Sequence, residues 1–152
     1  MRIELLSESF DPHAEFARFA PSGTGAGALA SFVGYCRASS GGAAVERLEL
    51  EHYPGFTETE IARLSEDVAS RHDLLDVLVL HRIGSIPVGE PIVLVAALSA
   101  HRAPAFAAVE ELMDYLKTGA PIWKREITDH GARWIEPTET DRARRAAREK
   151  RT

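Results

Sequence analysis

Two segments constrain the fold more than any other part of the chain: DVLVLHRI at residues 76–83 and PIVLVAALS at residues 91–99. Runs this rich in valine and leucine, bounded by turn formers, read as strands. Gly84, Pro87 and Gly89 punctuate the stretch between them. Weaker signals fill in the rest. Residues 2–6 alternate as a short strand, and Asp11-Pro12 has the form of a helix start, Asp11 as cap and Pro12 at the first helical position, with Phe16 and Phe19 on one face. Residues 21–27 (PSGTGAG) read as a flexible loop, 28–36 (ALASFVGYC) as a strand, 39–44 (SSGGAA) as a mobile loop and 45–53 as another strand. A helix is expected over 57–72, capped by Thr57 with Glu60 three residues on, its apolar stripe formed by Ile61, Leu64 and Val68. A second long helix over 103–117 opens at Pro104, turns Phe106, Val109, Leu112, Met113 and Leu116 inward, and is stopped by Gly119 and Pro121. Short strands at 122–127 and 133–135 flank a turn at 129–131. This order is α+β with a mixed or antiparallel sheet and not a strict βαβ repeat. No internal repeat of solenoid length is visible.

Composition narrows the function classes. At 152 residues, 45% hydrophobic and 27% charged, the chain suits one globular domain. A single cysteine, Cys36, rules out an internal disulfide framework and a multi-cysteine metal site. No apolar run reaches membrane-spanning length, and Glu4 and Glu8 stand where a signal peptide is basic and apolar, so a soluble, cytoplasmic protein is expected. The net charge of −5 divides into −8 over residues 1–138 and +3 over 139–152. The expected organisation is therefore one domain, 1–138, with a basic tail, 139–152. An acidic body disfavours general nucleic-acid binding. The tail (Arg142, Arg144, Arg145, Arg148, Lys150, Arg151) reads either as a solvated, frayed helical end or as a contact for RNA or an acidic partner.

Three constellations have chemical potential. His101-Arg102 sits between a strand end and a helix start, where free N–H groups and the helix dipole favour a phosphate or carboxylate; the plain alternative is a capping histidine and an arginine paired to a surface acid. Lys117 and Lys124 flank TGAPIW, whose turn can bring two ammonium groups together and lower a pKa; the plain alternative is two exposed lysines. FVGYCR at 32–37 delivers Arg37, a bidentate phosphate ligand, into a glycine-rich loop. Alternation along that strand puts Cys36 on the other face, as a small buried thiol. Phosphate-loop, dinucleotide, H-E-x-x-H and C-x-x-C motifs are absent, and the six histidines show no metal-ligand spacing.

Taken together, FVGYCR (32–37), LELEHY (48–53), HRIGSIPVGE (81–90), SAHRAPAF (99–106), MDYLKTGAPIWKRE (113–126) and RWIE (133–136) resemble, in order and spacing, the large catalytic subunit of molybdopterin synthase. The resemblance spans residues 2–137. It implies an α/β hammerhead fold with additional β structure. It also implies an enzyme that transfers sulfur from the C-terminal Gly-Gly thiocarboxylate of a small ubiquitin-like subunit to cyclic pyranopterin monophosphate (precursor Z), forming the dithiolene of molybdopterin. The implied assembly is a homodimer within a heterotetramer, and no metal or redox cofactor is implied. The family's catalytic lysines fall on Lys117, the leading acid/base, and Lys124, its partner. Its phosphate and pterin contacts fall on Arg37, His101 and Arg102, and Phe32, Met113, Pro121 and Trp123 fall on pocket-shaping positions. Cys36 replaces a valine common in relatives, the loop after Arg37 is small-residue rich, and Pro137-Thr138 stands where relatives supply an arginine to the neighbouring subunit, Arg133 and Arg142 being the nearest here. The competing reading is a non-catalytic scaffold for a ubiquitin-like sulfur carrier.

Overall fold

The two apolar segments are the middle of a sheet. In the computed structural model, which describes residues 1–19, 23 and 25–149, they form β5 (Asp76–Arg82) and β7 (Pro91–Ser99), paired antiparallel from Asp76↔Leu98 to His81↔Val93. β1 (Arg2–Leu6) joins β5 in parallel, and β2 (Ala28–Tyr35) joins β7 antiparallel, giving the order β1-β5-β7-β2. Nearly every residue of β5 and β7 is buried because both faces of this sheet are covered. Leu78, Leu80, Leu94 and Ala96 point to one side, where Phe10 and the Phe16 and Phe19 rings of α1 (Pro12–Phe19) pack on them. Val77, Val79, Val93, Val95 and Ala97 point to the other, against Ile61 and Val68 of α2 (Phe56–Arg71) and Ala105, Ala108 and Leu112 of α3 (Arg102–Thr118). Burial on two sides explains the unbroken apolar runs, since neither face needs polar residues.

A second sheet carries β3 (Ser39–Ser40), β4 (Ala43–His52), β8 (Ile122–Thr128) and β9 (Gly131–Ile135) in that order, with β6 (Gly84–Pro87) also paired to β4. The expected α+β arrangement with a mixed sheet is what the chain adopts. Several local expectations are corrected. The 39–44 segment is a tight hairpin, not a mobile loop: Gly41 and Gly42 take φ of +58° and +86°, the two positive values a two-residue turn between twisted strands requires. The stretch after β5 contains a strand, β6, whose four residues were too short to show a period. The cap of α2 is Gly55, whose N–H donates to the Glu58 carboxylate at 2.7 Å; Thr57 lies inside the helix, fully buried. Phe106 faces outward, 67% exposed, because the inward stripe of α3 is Ala105, Ala108, Val109, Leu112 and Leu116, and residue 106 lies about 100° round the helix from 105.

The tail is helical, as α4 (Glu139–Glu149), and it lies against α3 instead of projecting freely. The Arg145 guanidinium sits 5.8 Å from the centre of the Tyr115 ring, and Asp141 faces Lys117. Residues 21, 22 and 24 of the expected glycine-rich loop, and 150–152 of the tail, lie outside the described residues.

Candidate functional site

The turn from α3 into β8 is the centre of the site. α3 closes with the Gly119 and Ala120 N–H groups both donating to the Tyr115 carbonyl, at 2.7 and 3.0 Å. The Pro121 carbonyl then accepts the Thr57 hydroxyl at 3.0 Å, while the same hydroxyl oxygen accepts the Tyr53 N–H at 2.9 Å. This buried threonine pins the turn to α2 and sets where β8 begins. Register places Lys124 opposite Leu50 on β4 and Ile135 on β9, with Leu50 in turn opposite Gly84 of β6. Lys124 therefore shares the inner face of the second sheet with Leu48 and Leu50.

Lys124 is half-buried. Burial holds its ammonium below the ordinary lysine range, the Lys117 charge pushes the same way, Glu126 pulls back up and Arg37 lowers it further. Lys117, at the end of α3, is exposed and has Asp141 Oδ1 at 3.5 Å. Arg37, just past the end of β2, is exposed and makes no side-chain hydrogen bond or ion pair among the described residues. Cys36 is buried beside it, 2% exposed, and burial pushes its thiol up, so it is a packed thiol and no thiolate nucleophile. Beneath the lysine lies His81 of β5, 5% exposed. Burial brings its pKa down to about 4, and its Nδ1–H donates to the Arg82 carbonyl at 2.8 Å, so the ring is neutral at pH 7. Lys117, Lys124 and Arg37 thus form one cationic cluster over an apolar floor.

Other expected site residues divide. Met113 precedes Lys117 by one helical turn on the same face of α3 and is partly buried. Phe32 lies on the edge strand β2 with its ring over Gly34, which has no Cβ to obstruct it and leads toward Arg37. Pro121 is in the pinned turn. Trp123 is exposed and, by strand alternation, on the face of β8 opposite Lys124. The largest departure concerns His101 and Arg102. They stand at the start of α3, in an open pocket with Gly27, Ala100 and Ala103, while Lys117 stands at its end. Fifteen residues at 1.5 Å each put about 22 Å between the two ends, so one chain does not bring this pair to the lysines. His101 occupies the N-cap position with extended backbone, but its side chain does not cap the helix, and Arg102 has no side-chain partner among the described residues. The first turn of α3 holds no acidic residue. That end of the helix remains open to an anion.

Sequence reasoning did not find His81, Glu126 or Asp141. Glu126 was legible in principle: two residues after Lys124 on one strand, it must share its face. Arg133, a candidate for the absent arginine near Thr138, is instead engaged with Glu126 at 2.7 Å, and Arg142 lies 3.4 Å from Glu136. Among the described residues no three His, Cys, Asp or Glu side chains gather as ligands for a metal ion.

Comparison with known proteins agrees across sequence and structure. Residues 5–119 match the family model described as MoaE protein. The chain is 49% identical over 143 residues to the molybdopterin synthase catalytic subunit of Cereibacter sphaeroides, covering 94% of this chain and 97% of that protein. The solved MoaE protein of Burkholderia ambifaria superposes with a TM-score of 0.76 at 40% identity, covering 95% of each chain. Molybdopterin synthase from Staphylococcus aureus superposes with a TM-score of 0.80 at 29% identity, covering 89% of this chain and 98% of that one.

Proposed function

The chain belongs to the MoaE family, whose curated members are catalytic subunits of molybdopterin synthase, and on that premise we propose that it transfers sulfur to precursor Z with Lys117 and Lys124 as its catalytic pair. The observation that carries this reading is the half-buried Lys124, whose proton affinity is lowered by burial and by the facing Lys117. Thiocarboxylate attack, loss of oxygen as water, opening of the cyclic phosphate and release of the carrier's carboxylate all move protons. An amine of lowered pKa exchanges protons near neutrality, and a neighbouring ammonium stabilises an oxyanion. Lys117 stands where the carrier's C-terminus would arrive from solvent, and it takes the leading acid/base role, with Lys124 as its partner. Arg37, at the rim of the same cluster, neutralises a phosphate.

The separation along α3 gives the dimer a chemical purpose. A small substrate does not bridge about 22 Å, so His101 and Arg102 serve the reaction only if a second copy presents them beside the first copy's lysines. In this reading the pocket is completed by the partner subunit's His101 and Arg102, within a homodimer flanked by two small ubiquitin-like subunits. Met113, Phe32 and Pro121 shape the wall beside the lysines. Trp123, on the outer face, belongs to the surface past which the carrier's tail approaches. Residues 1–138 form the catalytic unit and 139–152 an appendage laid along α3. No helix among the described residues is long and apolar enough to cross a membrane, and the reading places the protein in the cytoplasm.

Reconstitution with precursor Z and the thiocarboxylated small subunit tests this. Molybdopterin formation that is lost in Lys117→Ala and in Lys124→Ala is expected. A stable complex with the small subunit that yields no product would replace the enzyme reading by the scaffold one.

A further inference from the structure

Lys124 has a buried acidic neighbour that it does not pair with. Glu126 follows it by two residues on β8, so both side chains rise from the inner face of the second sheet. The Glu126 carboxylate is 7% exposed and has been taken by another residue: Arg133, directly opposite on β9, donates an Nη2 hydrogen bond to it at 2.7 Å. The same guanidinium donates to the Ser40 hydroxyl at 3.2 Å, which fixes it between β9 and the β3–β4 hairpin. Seen from Lys124, carboxylate and guanidinium together are a neutral pair. Without Arg133, the carboxylate would be a buried negative charge, and Lys124 is the cation on its own strand face.

We propose that Arg133 is a positioning residue for Lys124: by holding the Glu126 carboxylate, it denies that carboxylate to the Lys124 ammonium and keeps the amine free to react. The other charged or titratable groups acting on Lys124 are Lys117 from α3, Arg37 and Cys36 beyond β2, and His81 on β5. Lys117 and Arg37 repel the ammonium, His81 is neutral at pH 7 and Cys36 is a protonated thiol, so Glu126 is the negative charge among them. Arg133 itself is more than half exposed and touches none of the groups assigned to the reaction, so its effect on them passes through Glu126.

The inference rests on the proposed role of Lys124, and its test separates the two. In the purified protein, the rate at which the Lys124 amine is acylated by a small reagent is followed against pH by peptide mass spectrometry. Arg133→Met is expected to raise the labelling pKa by about one unit, as an uncompensated charge about 7 Å away would. Synthase activity at a pH below that value then falls about tenfold. Arg133→Lys, which keeps the charge and gives up the fork geometry, restores the labelling pKa, as does the double variant Glu126→Gln/Arg133→Met. A structural role for Arg133 would not produce that second rescue. Equal labelling pKa values in all four proteins would overturn the proposal whatever the activities. Activity unaffected by Lys124→Ala would overturn the catalytic reading and leave the labelling result standing.

Discussion

Replacing Gly27 with alanine should disable the His101–Arg102 end of the site while leaving both lysines untouched. A Cβ on residue 27 would lie 2.2 Å from the Ala100 carbonyl oxygen and 3.2 Å from its carbon. Atoms that close must separate by about 1 Å, and neither side has a flexible tip to bend away. The Gly27 N–H is bonded to the Ser99 carbonyl at 3.0 Å, and Ala28 pairs with Ser99 across β2 and β7. The ladder holds residue 27, so the displacement passes into Ala100 and His101, where α3 is about to begin. Overpacking against backbone costs about 1–3 kcal/mol, or about 3–10 °C in melting temperature for a chain of this length. If His101 and Arg102 grip the substrate's phosphate, losing one charge-assisted hydrogen bond raises KM about tenfold or more, with kcat changed far less. Scanning calorimetry and steady-state kinetics of the reconstituted enzyme read the two effects separately. Gly25→Ala is the control, because its added Cβ meets only a leucine methyl at 3.9 Å. A Gly27→Ala protein with wild-type melting temperature and KM would refute both the steric argument and the role of this helix end.

Lys124→Met should abolish activity yet raise the urea midpoint. The folded state holds the Lys124 pKa below its unfolded value of 10.5, so the unfolded chain binds that proton more tightly and stability rises with pH between the two values; a methionine removes the penalty present at neutral pH. His81 has the same sign in a lower window: with pKa about 4 folded against 6.5 unfolded, its contribution is intact above pH 6.5 and is lost on acidification toward pH 4, by about 3 kcal/mol. His81→Gln should flatten that part of the stability–pH curve, and an unchanged slope would assign the acid sensitivity elsewhere. Thr57→Val keeps the shape but strands the Tyr53 N–H and the Pro121 carbonyl, costing about 1–3 kcal/mol. It should also lower kcat by loosening the turn before Lys124, a loss that wild-type kcat would disprove. Asp141 accepts from both the N–H and hydroxyl of Thr138 at the start of α4 while facing Lys117, so Asp141→Asn should speed amide exchange through 139–149; unaltered protection would show that α4 is held by its packing on α3 alone.

Much of this protein follows from local sequence. Valine and leucine runs specify the central strands because a strand buried on both faces tolerates little else, and Asp11-Pro12 starts α1 because the Asp11 carboxylate takes the His13 N–H at 2.9 Å. Motif order was enough to name the family and the residues that matter to it. Local pattern misled where the governing contact was distant. Thr57 resembled a cap, but its hydroxyl was required by Pro121, sixty-four positions away; Phe106 fitted an inward stripe until the sheet beneath α3 selected the alanine side. The site depends on the fold still more. The sequence places Lys117 and Lys124 seven residues apart, but only the pinned turn faces them toward each other, and only cross-strand pairing gives Glu126 to Arg133. His101 and Arg102 belong to the same motif set as the lysines, yet a straight helix of seventeen residues holds them at its far end. A list of residues carries no distances. Hydrogen-bonded register and the rigidity of a helix supply them, and they turn one apparent pocket into two half-sites.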